Sequence, residues 1–330
     1  QREVWPEIRN AARTKMIALV SLLAAIVVIY TIISGGRFVS PKNIRNILQS
    51  TVVVSLLTIG AGTLMIAGYI DLSLGGIGSM CAMLTAYLLK VDVPWPVAVL
   101  AGLAMGGIWG AFNAVLVNEL RFQPFIATLA TASITLGFAS IISGGKQIDI
   151  FEPALKVIGG GRLFDFIPYS LIISLFALLV YGVMLKNTKF GRSVYLIGGN
   201  PDASRLAGLR PKRVSYLLFI NAGCLAALAG ILLAGRLQTA NTVGISSSQF
   251  SGITAAVLGG ISFGGGVGGM GGALIGILIL SCFNNGMTVV DVSPYWQTIA
   301  SGLLLLFALM VDFISTKNTR KFIGKGGSAK

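Results

Sequence analysis

The chain has 330 residues, 55 % of them hydrophobic and only 11 % charged, with 43 glycines, no histidine and a formal charge of +14. Soluble domains carry about 25 % charged residues, so the soluble globular class is excluded. Lack of histidine also removes the commonest proton shuttle and metal ligand. Apolar runs of about 18 residues or more recur, each long enough to cross a hydrocarbon core about 30 Å thick. The basic excess then matches membrane topology and does not call for nucleic acid; membrane lipid is the first partner implied.

Residues 1–15 carry Arg2, Arg9, Arg13 and Lys15 and read as a cytoplasmic N-terminal segment. The apolar run from Met16 to Ser34 is too long for a signal peptide and has no small-x-small cleavage site, so it is expected to be the first span. Nine more spans are expected near 49–68, 72–90, 95–117, 124–143, 167–185, 214–235, 250–266, 270–288 and 295–313. The 49–90 run and the glycine-rich 258–276 region could be divided differently. The predicted fold is an all-α integral membrane protein with one transmembrane domain over 16–313 and a basic cytoplasmic tail over 314–330. Ten crossings put both termini on one side. With the termini and the 186–213 loop cytoplasmic, 17 of the 25 Lys and Arg residues lie inside and eight are spread over four external segments. That is the positive-inside pattern, and an odd count would place one basic terminus outside.

An internal repeat supports the count. Pro124 to Ala132 aligns with Pro294 to Gly302, Phe112-Asn113 with Phe283-Asn284, and Leu-Gly-Gly-Ile recurs at 74–77 and 258–261. The matching spans are the third to fifth and the eighth to tenth. An offset of five is odd, so the copies run in opposite directions, the inverted-repeat plan of many transporters.

Two polar segments interrupt the apolar sequence. The 144–168 loop, with three basic and three acidic residues, is the longest external one; it either covers the pore mouth, receives an external partner, or simply connects. The 186–213 loop carries seven basic residues against one acid, Asp202. Asn200 is placed to cap a short helix, Pro201 suits its first position, Asp202 favours the positive end of its dipole, and Gly208 stops it. Such a helix, anchored by a span on each side, can act as a lever between a cytoplasmic partner and the bilayer. The plainer reading is a loop that only fixes topology.

Few polar groups lie inside the spans. Asp71, among Gly68, Gly75 and Gly76, either faces a cavity or caps the third span together with Ser73 near the cytoplasmic surface. Asn113, Asn284 and Asn285 either bridge helices or present hydroxyl-recognising amides to a polar solute. Gln123, Phe125, Tyr295, Trp296 and Gln297 begin the two repeated spans, as interfacial anchors or as stacking surfaces along a path. Gly102, Gly106 and Gly110, like Gly268, Gly272 and Gly276, form small-residue ridges for close helix packing. The scattered Cys81, Cys224 and Cys282 fit apolar packing better than a disulfide or metal site. The GxGxxG at 264–269 follows a span, not a strand, so it does not mark a dinucleotide site. No P-loop, HExxH or GxSxG occurs, so no catalytic site is expected and any energy comes from an ion gradient or another subunit.

Four ordered stretches are similar to those of permease subunits of bacterial ATP-binding-cassette sugar importers, of the ribose, xylose and galactoside type. They are Gly68-Tyr69-Ile70-Asp71-Leu72-Ser73-Leu74-Gly75, Gln123 to Leu129, Gly198-Gly199-Asn200-Pro201-Asp202-Ala203-Ser204-Arg205-Leu206-Ala207-Gly208, and Leu258 to Gly266. Tyr69 stands where that family's motif has a second glycine. Asp202-Ala203-Ser204-x-x-x-Gly208 has the spacing of the family's EAA-type loop, with Asp for Glu and Ser for the second Ala. The resemblance implies a type II-like permease in a bacterial inner membrane, paired with a second permease subunit. It implies ATPase subunits carrying ATP and Mg, docked on Gly198 to Gly208, and an external solute-binding protein. Asp71, Asn113, Gln123, Phe125, Asn284, Asn285, Tyr295 and Trp296 are then the expected pathway residues. A branched-chain amino-acid permease of the same superfamily and an ion-coupled secondary transporter are the rival readings.

Overall fold

A computed structural model describes residues 4–327 and is built almost wholly of helices. Helix α1 (Val4–Ile33) carries its apolar window at Met16–Ile33. Helix α2 (Pro41–Ile66) starts where the Ser40 hydroxyl accepts the Asn43 N–H, with Pro41 in the first turn. It is the most buried span, with 89 % of its apolar window inside the protein, and forms the axis of the domain. An irregular stretch over 67–73 leads to α3 (Leu74–Lys90), followed by α4 (Trp95–Asn118) and α5 (Pro124–Ser143). Both α4 and α5 have proline in the first turn, where its missing N–H costs nothing.

The expected 144–168 loop is partly folded. It holds α6 (Pro153–Gly160) and three two-residue strands, β1 (Ile148–Asp149), β2 (Arg162–Leu163) and β3 (Ile167–Pro168). After α7 (Tyr169–Asn187), the 186–213 segment contains two helices where one was expected, α8 (Lys189–Gly199) and α9 (Pro201–Leu206). Then come α10 (Pro211–Leu237), β4 (Thr239–Ala240), α11 (Gln249–Leu258), α12 (Met270–Val289) and α13 (Pro294–Gly327). Helix α13 runs on through the segment expected as a tail; residues 328–330 lie outside the described ones, as do residues 1–3 of the expected N-terminal segment.

Among the described residues, seven helices are long and apolar enough to cross a membrane: those at Met16–Ile33 and at α2, α4, α5, α7, α10 and α12. The shorter α3 and the Pro294–Met310 part of α13 are also apolar. The span expected over 250–266 is helical only to Leu258. The reason is local: Gly260, Gly265, Gly266 and Gly268 take left-handed φ values of 87°, 78°, 73° and 120°, which end a helix and which only glycine adopts without strain.

Helix packing rests on the glycine ridges. A Cβ on Gly106 of α4 would lie 2.7 Å from Ala227 Cβ, and one on Gly110 would collide with the Phe219 carbonyl, both on α10. On α12, Gly272 and Gly276 stand against the carbonyls of Gly259 and Ala255 at the end of α11. Gly268 departs from the expected ridge and lies in the loop before α12. These contacts let backbones approach to distances that any side chain would prevent, the means by which helices associate where lipid offers no hydrophobic driving force.

The connections sort to two ends. At one, Lys212 pairs with Glu119 at 2.7 Å and the Gly266 N–H donates to the Ile66 carbonyl at 2.8 Å. At the other, Arg37 lies 3.9 Å from Asp291, Arg45 donates to the Asp165 carbonyl at 3.3 Å, and β1 pairs antiparallel with β4. Gly110→Leu should therefore lower the thermal unfolding midpoint in detergent, at a cost of about 2 kcal/mol or more from overpacking. Gly137→Ala, which meets open space, should leave the midpoint unchanged.

Candidate functional site

The residues singled out in the sequence fall into three places. The first is the α8–α9 segment. As expected, the Asn200 side chain accepts the Ala203 N–H at 3.0 Å and Pro201 opens the helix. Gly208, at φ 78°, ends it in a Schellman turn: its N–H donates to the Arg205 carbonyl and the Leu209 N–H to the Ser204 carbonyl, both at 3.0 Å. Asp202 is exposed and pairs with Arg205 one turn on, at 3.4 Å. Ala203 is exposed, whereas Ser204 turns inward and its hydroxyl donates to the Asn200 carbonyl at 2.7 Å. Sequence reasoning missed Leu206. This residue is 91 % exposed at the tip of α9, a large aliphatic side chain in the middle of a basic loop. Its signal was there to be read, since solvated polar loops have no need of leucine.

Beneath this exposed helix lies a close joint. A Cβ on Gly198 would collide with the Ile66 carbonyl at the end of α2 and sit 2.7 Å from the Gly266 nitrogen. Gly265 packs on Gly198, and Gly266 on Gly199. The Tyr195 hydroxyl donates to the Gly268 carbonyl at 2.8 Å, and burial raises its phenol above the ordinary value, so it remains a neutral donor. From α13, the Asp312 carboxylate accepts both the Ser262 hydroxyl and the Phe263 N–H at 3.2 Å. Thus α8 is bound directly to α2 and to the glycine loop after α11. Gly199 was read with Gly198 as one docking element, but the two differ: Gly199 itself has open space where a side chain would go.

The second place is a buried knot around Asp71. The carboxylate accepts the Ser73 N–H at 2.7 Å and the Ser73 hydroxyl at 2.5 Å, and Asn113 Nδ2 donates to that hydroxyl at 2.8 Å. Thr128 of α5 accepts the Leu72 N–H at 3.0 Å. Asp71 does bond at the foot of α3, as a cap would, but it is only 3 % exposed and Asn113 is wholly buried. Three neighbouring segments, 67–73, α4 and α5, wrap Asp71, because the break in the helix frees backbone groups that this network takes up.

The third place is a polar cavity of about 390 Å³ near the opposite end. Asn284, Asn285, Ser281 and Thr288 of α12 face it, with Asn46 and Ser50 of α2. Gln297 of α13 and Arg236 of α10 complete its polar wall. Asn285 accepts from Asn43 at 2.8 Å and Asn284 from Ser301 at 3.2 Å, which fixes both amides. Ser281 Oγ is buried and bonds to no group among the described residues. Amides and hydroxyls that donate and accept in turn suit a solute with several hydroxyls. Asn46, Ser50, Ser281, Thr288 and Arg236 were missed; no local motif marks them, and they are distinguished only once the helices are placed.

Phe125 and Gln123 stand exposed at the start of α5, at the α9 end, and Tyr295 and Trp296 stand exposed at the start of α13, at the other. The expected pathway residues are thus not gathered into one site. The three cysteines are unpaired, and among the described residues no cluster of metal-ligating side chains occurs. Gly198→Ala should lower the thermal midpoint and the yield of folded protein, with a cost of roughly 1–3 kcal/mol for forcing backbone apart. Gly199→Ala, one position on, should match the unsubstituted chain in the same measurement.

Residues 43–309 match the family described as the permease component of the branched-chain amino acid transport system. The ribose import permease protein RbsC of Bacillus subtilis is 34 % identical over 289 residues, covering 87 % of this chain and 89 % of its own. The galactose/methyl galactoside import permease protein MglC of Haemophilus influenzae is 33 % identical, with 83 % and 87 % covered. The xylose transport system permease protein XylH of the same organism is 29 % identical, with 91 % and 95 % covered. Similarity of this extent, spanning both the α8–α9 segment and the polar cavity, places the chain in that family of membrane-transport permease components.

Proposed function

We propose that the chain is the membrane-spanning subunit of an ATP-driven importer for a monosaccharide or related polar solute. It works with a second permease subunit, with ATPase subunits that hold ATP and Mg, and with an external solute-binding protein. The relatives are named for ribose, galactose and xylose import. The chain itself is non-catalytic, and hydrolysis belongs to the ATPase.

One observation carries the mechanism: the exposed α9 sits, through Gly198, on the end of α2. Helix α2 then runs from Ile66 at that joint to Asn46 in the wall of the polar cavity. Twenty residues of helix span about 30 Å, so one stiff element joins the docking surface to the solute cavity. Leu206 and Ala203 enter a groove on the ATPase; closure of that groove shifts α9 and α8, and α2 carries the shift to Asn46 and Ser50. The amides of Asn284 and Asn285 hold solute hydroxyls there.

Sorting of the connections to two ends supports ten crossings, with α3, the segment 249–268 and the start of α13 as the shorter ones. It also supports a cytoplasmic position for both termini in a bacterial inner membrane. The inverted repeat draws support from packing, since α3 lies on α4, α5 and α10 while α11 lies on α12, α13 and α2. Shifting by five spans turns one set of partners into the other. An aliphatic amino-acid side chain would find mainly amides and hydroxyls in the cavity, which favours a hydroxylated solute over the branched-chain substrates in the family's description.

The docking assignment is tested at Leu206 in preference to Gly208, whose left-handed backbone any substitution would strain. Leu206→Asp should keep the thermal midpoint, weaken association with the ATPase by about tenfold or more, and lower ATP-driven uptake in parallel. Uptake and association equal to those of the unsubstituted chain would remove α9 from the coupling role. Asn284→Leu should leave ATPase association intact and reduce sugar uptake by roughly tenfold, through loss of a hydroxyl-binding amide.

A further inference from the structure

A second polar cavity, of about 430 Å³, lies at the α9 end. Three cationic residues from three elements line it: Arg121 from the turn after α4, Arg205 from α9 and Lys212 from the start of α10. Tyr69 and Asn118 add a phenol and an amide. Only two carboxylates answer these charges. Glu119 lies 2.7 Å from Lys212 and Asp202 lies 3.4 Å from Arg205, and both pairs are largely exposed. Exposed pairs of this kind are weak and exchange readily for another anion. Among the described residues no carboxylate lies within 4.0 Å of Arg121.

Two features give the cavity its shape. Arg121 is held at φ 57°, a left-handed conformation costly for a residue with a side chain, which reverses the chain after α4. Tyr69 replaces the glycine of the related motif and packs edge-on against Phe219, ring centres 5.7 Å apart, so that a rigid aromatic wall stands where a glycine would leave a gap. Neither the α9 docking surface nor the α2 linkage needs this tyrosine.

We propose that this cavity binds a phosphate group, as a phosphomonoester or phosphodiester oxyanion. Two guanidinium groups and an ammonium outnumber the two nearby carboxylates and so attract a phosphate, whose oxygens arginine binds in bidentate fashion. The phosphate belongs either to a soluble phosphorylated metabolite or to the headgroup of an anionic lipid at the inner leaflet. Because the three cations come from the turn after α4, from α9 and from α10, a bound phosphate ties α9 to its neighbours. That this restrains transport rests on the coupling role of α9; the binding itself does not.

The test uses the full chain in phosphate-free maltoside detergent, titrated calorimetrically with glucose 6-phosphate and, separately, with phosphatidylglycerol. Saturable binding of at least one is expected, weakened about tenfold by Arg121→Gln and likewise by Arg205→Gln, with unchanged thermal midpoints. Lys186→Gln, which removes an exposed charge outside the cavity, should bind as the unsubstituted chain does. Tighter binding of glucose 6-phosphate identifies a soluble ligand, and tighter binding of phosphatidylglycerol identifies the lipid. Absence of saturable binding by both would overturn the proposal, as would equal weakening by Lys186→Gln. So would variants at Arg121 and Arg205 that bind phosphate normally but lose the ATPase, since the cations would then serve a protein carboxylate.

Discussion

The structure depends on the contact of three backbones at Gly198. Ile66 closes α2, Gly266 lies in the loop after α11, and Gly198 ends α8, and no side chain fits between them. Polar backbone groups at the ends of spans must find partners inside the protein, because lipid offers none. Here they find each other, as in the bond from Gly266 to Ile66. A helix that projects from such a joint moves with it. Such a joint is what the proposed coupling role of α9 requires, beyond a basic loop that only fixes orientation.

From that joint the polar groups of the spans take on distinct roles. The Asp71 knot fills the break after α2 and ties it to α4 and α5. The amides of α12 stand farther along, beside the opposite end of α2, where a cavity remains. In the proposed mechanism, coupling and solute contact lie about one helix length apart. That mechanism calls for a rigid-body shift between them, which packed glycine interfaces permit and soft side-chain layers would absorb.

Much of this could be read from the sequence because its strongest signals are local. Proline and a hydrogen-bonding cap fixed the start of α9 at Asn200, and Gly208 fixed its end, with no tertiary information required. Span positions followed from hydropathy, and the starts of α5 and α13 fall on the two prolines of the repeat, Pro124 and Pro294. The glycine ridges were legible as spacing, although their partners were not. What failed depended on three-dimensional placement. The apolar run over 250–266 looked like one more helix because hydropathy does not register the left-handed glycines from Gly260 onward. The burial of Asp71 was not legible either, because its distance along the chain from a loop says nothing about which helices cover it. Gly198 and Gly199 are chemically identical neighbours, and only the approach of Ile66 distinguishes them. The cavity draws on α2, α10, α12 and α13, so no single stretch displays it.

The most direct measurement is solute uptake by proteoliposomes containing this chain together with the ATPase that purifies with it from native membranes. The account predicts uptake of a sugar, dependent on enclosed ATP and an added external binding protein, and indifferent to proton and sodium gradients. A chain that purifies alone and accumulates solute under an ion gradient without ATP would contradict it.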